Sequence, residues 1–155
     1  MDIQVVDFIQ AMLAPGIMIS ACGLLILGMN NKYSLIINRI RLLDEELRRL
    51  SYPEKELLPH QKERMVNINE QLGLFHLRVF FVRNTVVLYS VAVAFFILTS
   101  ILIGVQMGTG LNFELVAVIS FLLGMISVLA GIIFAVKEVL RGYRIVNLEL
   151  SGPNK

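Results

Sequence analysis

Three stretches of this chain contain no Asp, Glu, Lys or Arg: residues 8–29, 84–113 and 115–136, which run for 22, 30 and 22 residues. Each meets the roughly 20 apolar residues a helix needs to cross a hydrocarbon core about 30 Å thick. Together they occupy nearly half of the 155 residues. The composition agrees, at 56% hydrophobic and 17% charged, where a soluble domain has about a quarter of its residues charged. The sequence therefore predicts an all-α integral membrane protein, a single membrane unit over 1–155, with transmembrane helices at 8–29, 85–107 and 115–136.

All 14 Lys and Arg residues lie between the first and second blocks or after the third. The positive-inside bias then places the N-terminus outside, the C-terminus and residues 30–83 in the cytoplasm, and almost nothing in the outer link, where Gly108, Gly110 and Asn112 supply turn chemistry. The residues before the first block include Asp2 and Asp7 but no base. A secretory signal needs a positive start, so the first block is expected to be retained as a span. Pro15 interrupts that block, so 3–13 either continues the span past a kink, the reading adopted, or lies as a short helix in the outer interface. A net charge of +2 gives no ground for nucleic-acid binding.

The segment 31–83 reads as a helical hairpin. Ile36, Ile40, Leu43, Leu47 and Leu50 alternate steps of four and three, and so do Met65, Ile68, Leu72, Phe75, Val79 and Val82 in a second arm. Such spacing keeps one apolar stripe facing a partner helix. Pro53 and Pro59 mark the turn between the arms. Beyond the third span, Val136, Leu140, Tyr143, Asn147 and Leu150 step in the same way over an extension at 137–150, and Ser151-Gly152-Pro153 stops it. Three seams predict a cytoplasmic three-helix coiled-coil bundle continuous with the membrane helices.

Chemistry is sparsely provided. No ionisable residue falls inside the spans, and intramembrane hydroxyls such as Ser20 and Ser127 can bond the preceding helical turn. His60 and His76 both fall in the hairpin, far from those serines, so no nucleophile has a base. Cys22, the single cysteine, excludes an intramolecular disulfide or cysteine cluster. The clusters Asp44-Glu45-Glu46 and Glu54-Lys55-Glu56 read as solvated helix faces. The sequence predicts no catalytic residue, no cofactor site and no metal site.

Packing signals are clearer. Ser120, Gly124, Ser127, Gly131 and Ala135 form a small-residue strip on the third span, and Gly16, Ser20 and Gly23 form a shorter one on the first. Small side chains let helices approach closely in lipid. One strip would pack the three spans together and the other would meet a second protomer, which predicts a homo-oligomer. Arg39, Arg41, Arg78 and Arg83 fall near the membrane face, where they serve as topological anchors or as contacts to anionic lipid headgroups.

The runs Ala11-Met12-Leu13-Ala14-Pro15, Leu27-Gly28-Met29-Asn30-Asn31-Lys32-Tyr33 and Asn38-Arg39-Ile40-Arg41-Leu42, with residues 78–83, resemble a family of small bacterial integral membrane proteins of unknown function. The likeness extends from about residue 8 to 144, with Lys32 where arginine is more usual, and it implies a bacterial inner-membrane setting without an activity. In layout alone the chain is also similar to the ring-forming stator subunits of proton-driven motors and transport energisers, but its third span lacks their polar or acidic pore position apart from Ser120 and Ser127. The expected function is a non-enzymatic, self-associating inner-membrane scaffold acting through its cytoplasmic stalk. The alternative is an oligomeric channel with the second and third spans lining the path, where Thr99, Ser100, Ser120 and Ser127 offer hydroxyls.

Overall fold

The computed structural model describes the backbone of residues 3–51 and 59–150 and the side chains of residues 6–51 and 59–140. The turn around Pro53, the Ser151-Gly152-Pro153 stop and the side chains of Tyr143, Asn147 and Leu150 lie outside the described residues. Three helices make up the fold: α1 (Ile3–Ser51), α2 (Pro59–Thr109) and α3 (Glu114–Leu150). At 1.5 Å per residue α1 and α2 are about 74 and 77 Å long, more than twice the hydrocarbon thickness. Each helix carries a window apolar enough to cross a membrane, and the protein is a multi-pass membrane protein.

α1 runs unbroken through Pro15, so 3–13 belongs to the first helix and is no separate interfacial segment. Between α2 and α3 the chain reverses in a few residues. Gly110 takes φ +69°, the left-handed conformation that ends a helix most cheaply when no Cβ is present, and its N–H donates to the Gln106 carbonyl at 2.9 Å. The Asn112 carboxamide oxygen then accepts from the Glu114 N–H at 3.2 Å and caps α3, with the Glu114 carboxylate in the favourable first turn.

α1 and α3 each pack along α2 and barely touch one another, so α2 is the central helix. Cross-helix pairs such as Glu46 with Arg64, and Gly131 with Tyr89, make neighbouring helices antiparallel. Buried positions recur every seven residues: Cys22, Met29, Ile36 and Leu43 on α1, and Ile68, Phe75, Val82, Tyr89 and Phe96 on α2. One continuous row thus serves both the membrane half and the charged half of the molecule. Outward-facing residues inside the spans are large and apolar, Leu24 and Leu115 each 72% exposed, which suits hydrocarbon as surrounding solvent.

The sequence-derived seams on the first two arms fall at this contact. Ile36, Leu43, Ile68 and Phe75 are buried, and Ile40, Leu47, Leu50, Met65, Leu72 and Val79 are half-buried. On α3 the structure departs from the expected seam, because Val136 and Leu140 are 51% and 65% exposed. The reason lies upstream. α3's inner face is set by Ala117, Gly124 and Gly131, all buried, and a further step of seven reaches Glu138 rather than Leu140.

Charged side chains finish the hairpin. Asp44 and Glu45 pair with Arg48 and Arg49 one turn on, at 3.1 and 2.6 Å. The Arg64 guanidinium crosses from α2 and donates to both Glu46 oxygens at 2.8 and 3.2 Å, and this holds the Glu46 carboxyl below the usual glutamate range. Exposed pairs of this kind contribute little, so the apolar row decides. Leu43→Asp, which puts a charge where the native side chain is 3% exposed, is expected to separate the arms while leaving the spans inserted. Limited trypsin digestion checks this: cleavage at Arg48, Arg49, Lys62 and Arg64 should speed up at least tenfold, the equivalent of about 1.4 kcal/mol in opening.

Candidate functional site

The most unusual group in the molecule is a carboxylate. Glu138 is 1% exposed, on the face of α3 that otherwise presents glycine and alanine to α2. A buried charge is tolerated only when paired and hydrogen-bonded. Arg78 of α2 donates from Nε and Nη2 to Glu138 Oε1 at 3.1 and 2.8 Å, and Lys32 of α1 donates from Nζ to Oε2 at 3.3 Å. Both carboxylate oxygens are therefore occupied, and the single acid ties all three helices together where the uncharged blocks end. Among the described residues no buried side-chain nitrogen or oxygen lacks a partner.

Two cations for one carboxylate leave positive charge over. Arg39, two turns beyond Lys32 on α1, adds to it. Lys32, Leu35, Ile36, Arg39, Phe75 and Arg78 line a recess of about 190 Å³ between α1 and α2, with the Arg78 guanidinium 5.9 Å from the centre of the Phe75 ring. Of the four arginines expected at the membrane face, Arg39 and Arg78 line this recess. Arg41 and Arg83 are exposed elsewhere, the latter 5.8 Å from the Phe80 ring centre.

At the opposite end of the spans α1 and α3 part to leave a cleft of about 920 Å³, walled by Phe8, Ala14 and Pro15 of α1, Thr99 and Ile103 of α2, and Ala117, Phe121 and Leu122 of α3. Asp7 and Glu114 stand among its lining residues. The hydroxyls nearby are already used: Thr99 donates to the Phe95 carbonyl at 2.8 Å, Ser100 to Phe96 at 3.1 Å, and Ser120 crosses from α3 to the same Phe95 carbonyl at 3.0 Å. Ser127 is half-buried. His76 is exposed on α2 with Nδ1 2.9 Å from the Leu72 carbonyl.

The two small-residue strips have different surroundings. A Cβ at Gly124 would sit 2.7 Å from a Phe96 ring carbon, and one at Gly131 would sit 2.5 Å from a Tyr89 ring carbon, so these glycines, with buried Ser120 and half-buried Ala135, serve packing within the chain. Gly16, Ser20 and Gly23 on α1 are exposed, and nothing lies within 4 Å of a Cβ built at either glycine.

A family described as protein of unknown function (DUF2721) matches residues 12–148. The chain belongs to that family. No curated protein and no solved structure matches it. Lys32, Arg39, Arg78 and Glu138 of this DUF2721 protein all fall inside the matched span. Sequence reasoning placed Arg39 and Arg78 at the membrane face but assigned no role to Glu138 or Lys32. The signal that finds Glu138 is the seven-residue continuation of Gly124 and Gly131.

Proposed function

We propose that this DUF2721 protein is a non-enzymatic, self-associating protein of the bacterial inner membrane whose cytoplasmic stalk acts as a scaffold or interaction module. The observation that carries the reading is the open Gly16, Ser20 and Gly23 strip on α1. The matching strip on α3 is filled by α2, and a row of three helices covers α1 on one side only, which leaves small residues where a second helix can approach closely. The one-sided placement of Lys and Arg supports an outer N-terminus and a cytoplasmic stalk. Arms reaching tens of ångströms past the spans give that stalk a long charged surface.

Native mass spectrometry from lipid nanodiscs tests the reading. The wild-type protein should give one discrete subunit number above one, and Gly16→Leu with Gly23→Leu should reduce it to single chains without lowering helicity. A monomeric wild-type protein would overturn it.

The alternative, an oligomeric channel lined by the second and third spans, draws support from the cleft of about 920 Å³ at the far end of the bundle. Three of the hydroxyls it would use are spent on backbone carbonyls. Ion flux from protein-loaded liposomes decides between the two.

A further inference from the structure

We propose that the recess between α1 and α2 is a binding site for the phosphate headgroup of an anionic membrane lipid, with Arg39, Lys32 and Arg78 as its cationic walls. Position along the chain comes first. Lys32 lies three residues past the uncharged block 8–29, and Arg78 lies six residues before the block 84–113. At 1.5 Å per residue their backbones stand about 5 and 9 Å outside the hydrocarbon boundary, at and just beyond a headgroup layer about 5–7 Å deep on each side. Arg39, ten residues past its block, stands about 15 Å out and reaches back with its long side chain.

Direction comes second. Cα–Cβ bonds tilt toward a helix's N-terminus. Arg39 on α1 therefore leans toward the membrane while Arg78 on antiparallel α2 leans away from it, which brings these two guanidinium groups toward one level, and Lys32 lines the same recess on its membrane side. Charge comes third. Glu138 neutralises one of the three positive charges, so the recess keeps a positive excess; Arg39 makes no ion pair within 4 Å among the described residues, although its charge helps hold the Glu46 carboxyl down from two turns away. Glu138 also fixes Arg78, whose side chain is 24% exposed, so one wall of the site is already held in place before a ligand arrives.

The apolar part of the recess selects a lipid over a free anion. Ile36 and Phe75 are buried within the lining, and Leu35 is 70% exposed. A dissolved phosphate gains nothing from covering Leu35, whereas a lipid brings its glycerol and upper acyl chain against it. A volume of about 190 Å³ accommodates a headgroup but no acyl chain, so the chains remain in the bilayer beside α1. The site requires a membrane and does not depend on self-association.

The experiment compares two arginines two residues apart. Wild-type protein, Arg39→Gln and Arg41→Gln are equilibrated with equal amounts of phosphatidylglycerol and phosphatidylcholine, and retained lipid is counted by native mass spectrometry. Wild-type protein should retain phosphatidylglycerol preferentially. Arg39→Gln should weaken that retention about tenfold, the low end for a hydrogen bond to a charged group; Arg41→Gln should change it less than about twofold, and Arg39→Lys should keep most of it. Neither glutamine variant touches the Glu138 tie, and circular dichroism confirms that each is folded. No preference for phosphatidylglycerol, or equal losses at Arg39 and Arg41, would overturn the site. Displacement of the lipid by millimolar inorganic phosphate would also overturn it, in favour of a free-anion pocket.

Discussion

Glu138→Ala is expected to destabilise the protein by about 2–3 kcal/mol. Removing one member of a buried ion pair costs about 3–5 kcal/mol when the charge left behind is sealed from water. Here the abandoned groups, Arg78 and Lys32, are 24% and 45% exposed and can rehydrate, so the loss falls just below that range. The reverse deletion should cost more. Arg78→Ala leaves a carboxylate that is 1% exposed with only a 3.3 Å lysine contact, and about 3–4 kcal/mol is expected. The apolar pair Glu138→Leu with Arg78→Met should recover most of the loss, because a buried ion pair is commonly replaceable by side chains of similar volume. Unfolding of the purified protein in mixed micelles, followed by helicity, reads all three. A change below about 0.5 kcal/mol for Glu138→Ala would show that the tie does not hold the helices.

The spans were legible because a hydrocarbon core imposes one simple demand, and three uncharged blocks meet it. The hairpin arms were legible because their apolar positions, from Ile36 to Leu50 and from Met65 to Val82, stand out against charged neighbours. On α3 the expected seam departs from the structure at Val136 and Leu140 because the same rule was applied there. Val136 and Leu140 are the apolar residues at the expected spacing, yet in α3 the buried face is chosen by the absence of side-chain bulk, since Phe96 and Tyr89 of α2 occupy the space that Gly124 and Gly131 leave. Followed by sevens, that face reaches an acid at Glu138. Glu138 looks like any surface charge among Lys137, Arg141 and Arg144, and only its register, together with cations at Lys32 and Arg78 some 106 and 60 residues away in sequence, distinguishes it.

Gly131→Leu is expected to have a comparably large effect by a different route. Even the first carbon of a new side chain would lie 2.5 and 2.8 Å from two Tyr89 ring carbons. Tyr89 is 2% exposed and is held among the buried residues that line α2, so the ring has no open space to swing into. Gly131→Ala should cost about 1–2 kcal/mol, an overpacking penalty of about 1–3 kcal/mol partly offset by alanine's better helix propensity. Gly131→Leu should cost at least about 3 kcal/mol by pushing α3 away from α2, because three further heavy atoms enter the same space. Gly28→Ala is the matched control, exposed on α1 outside the small-residue strip and with nothing within 4 Å of its new carbon, and should not destabilise the protein. The displacement also has a second consequence. Residue 138 lies two turns along the same face, about 10 Å away, so moving α3 at 131 stretches the contacts from Glu138 to Arg78 and Lys32. The losses from Gly131→Leu and Glu138→Ala should therefore fall short of additive by at least about 0.5 kcal/mol in the double variant. Additive losses would mean that the glycine face and the carboxylate act on α3 independently.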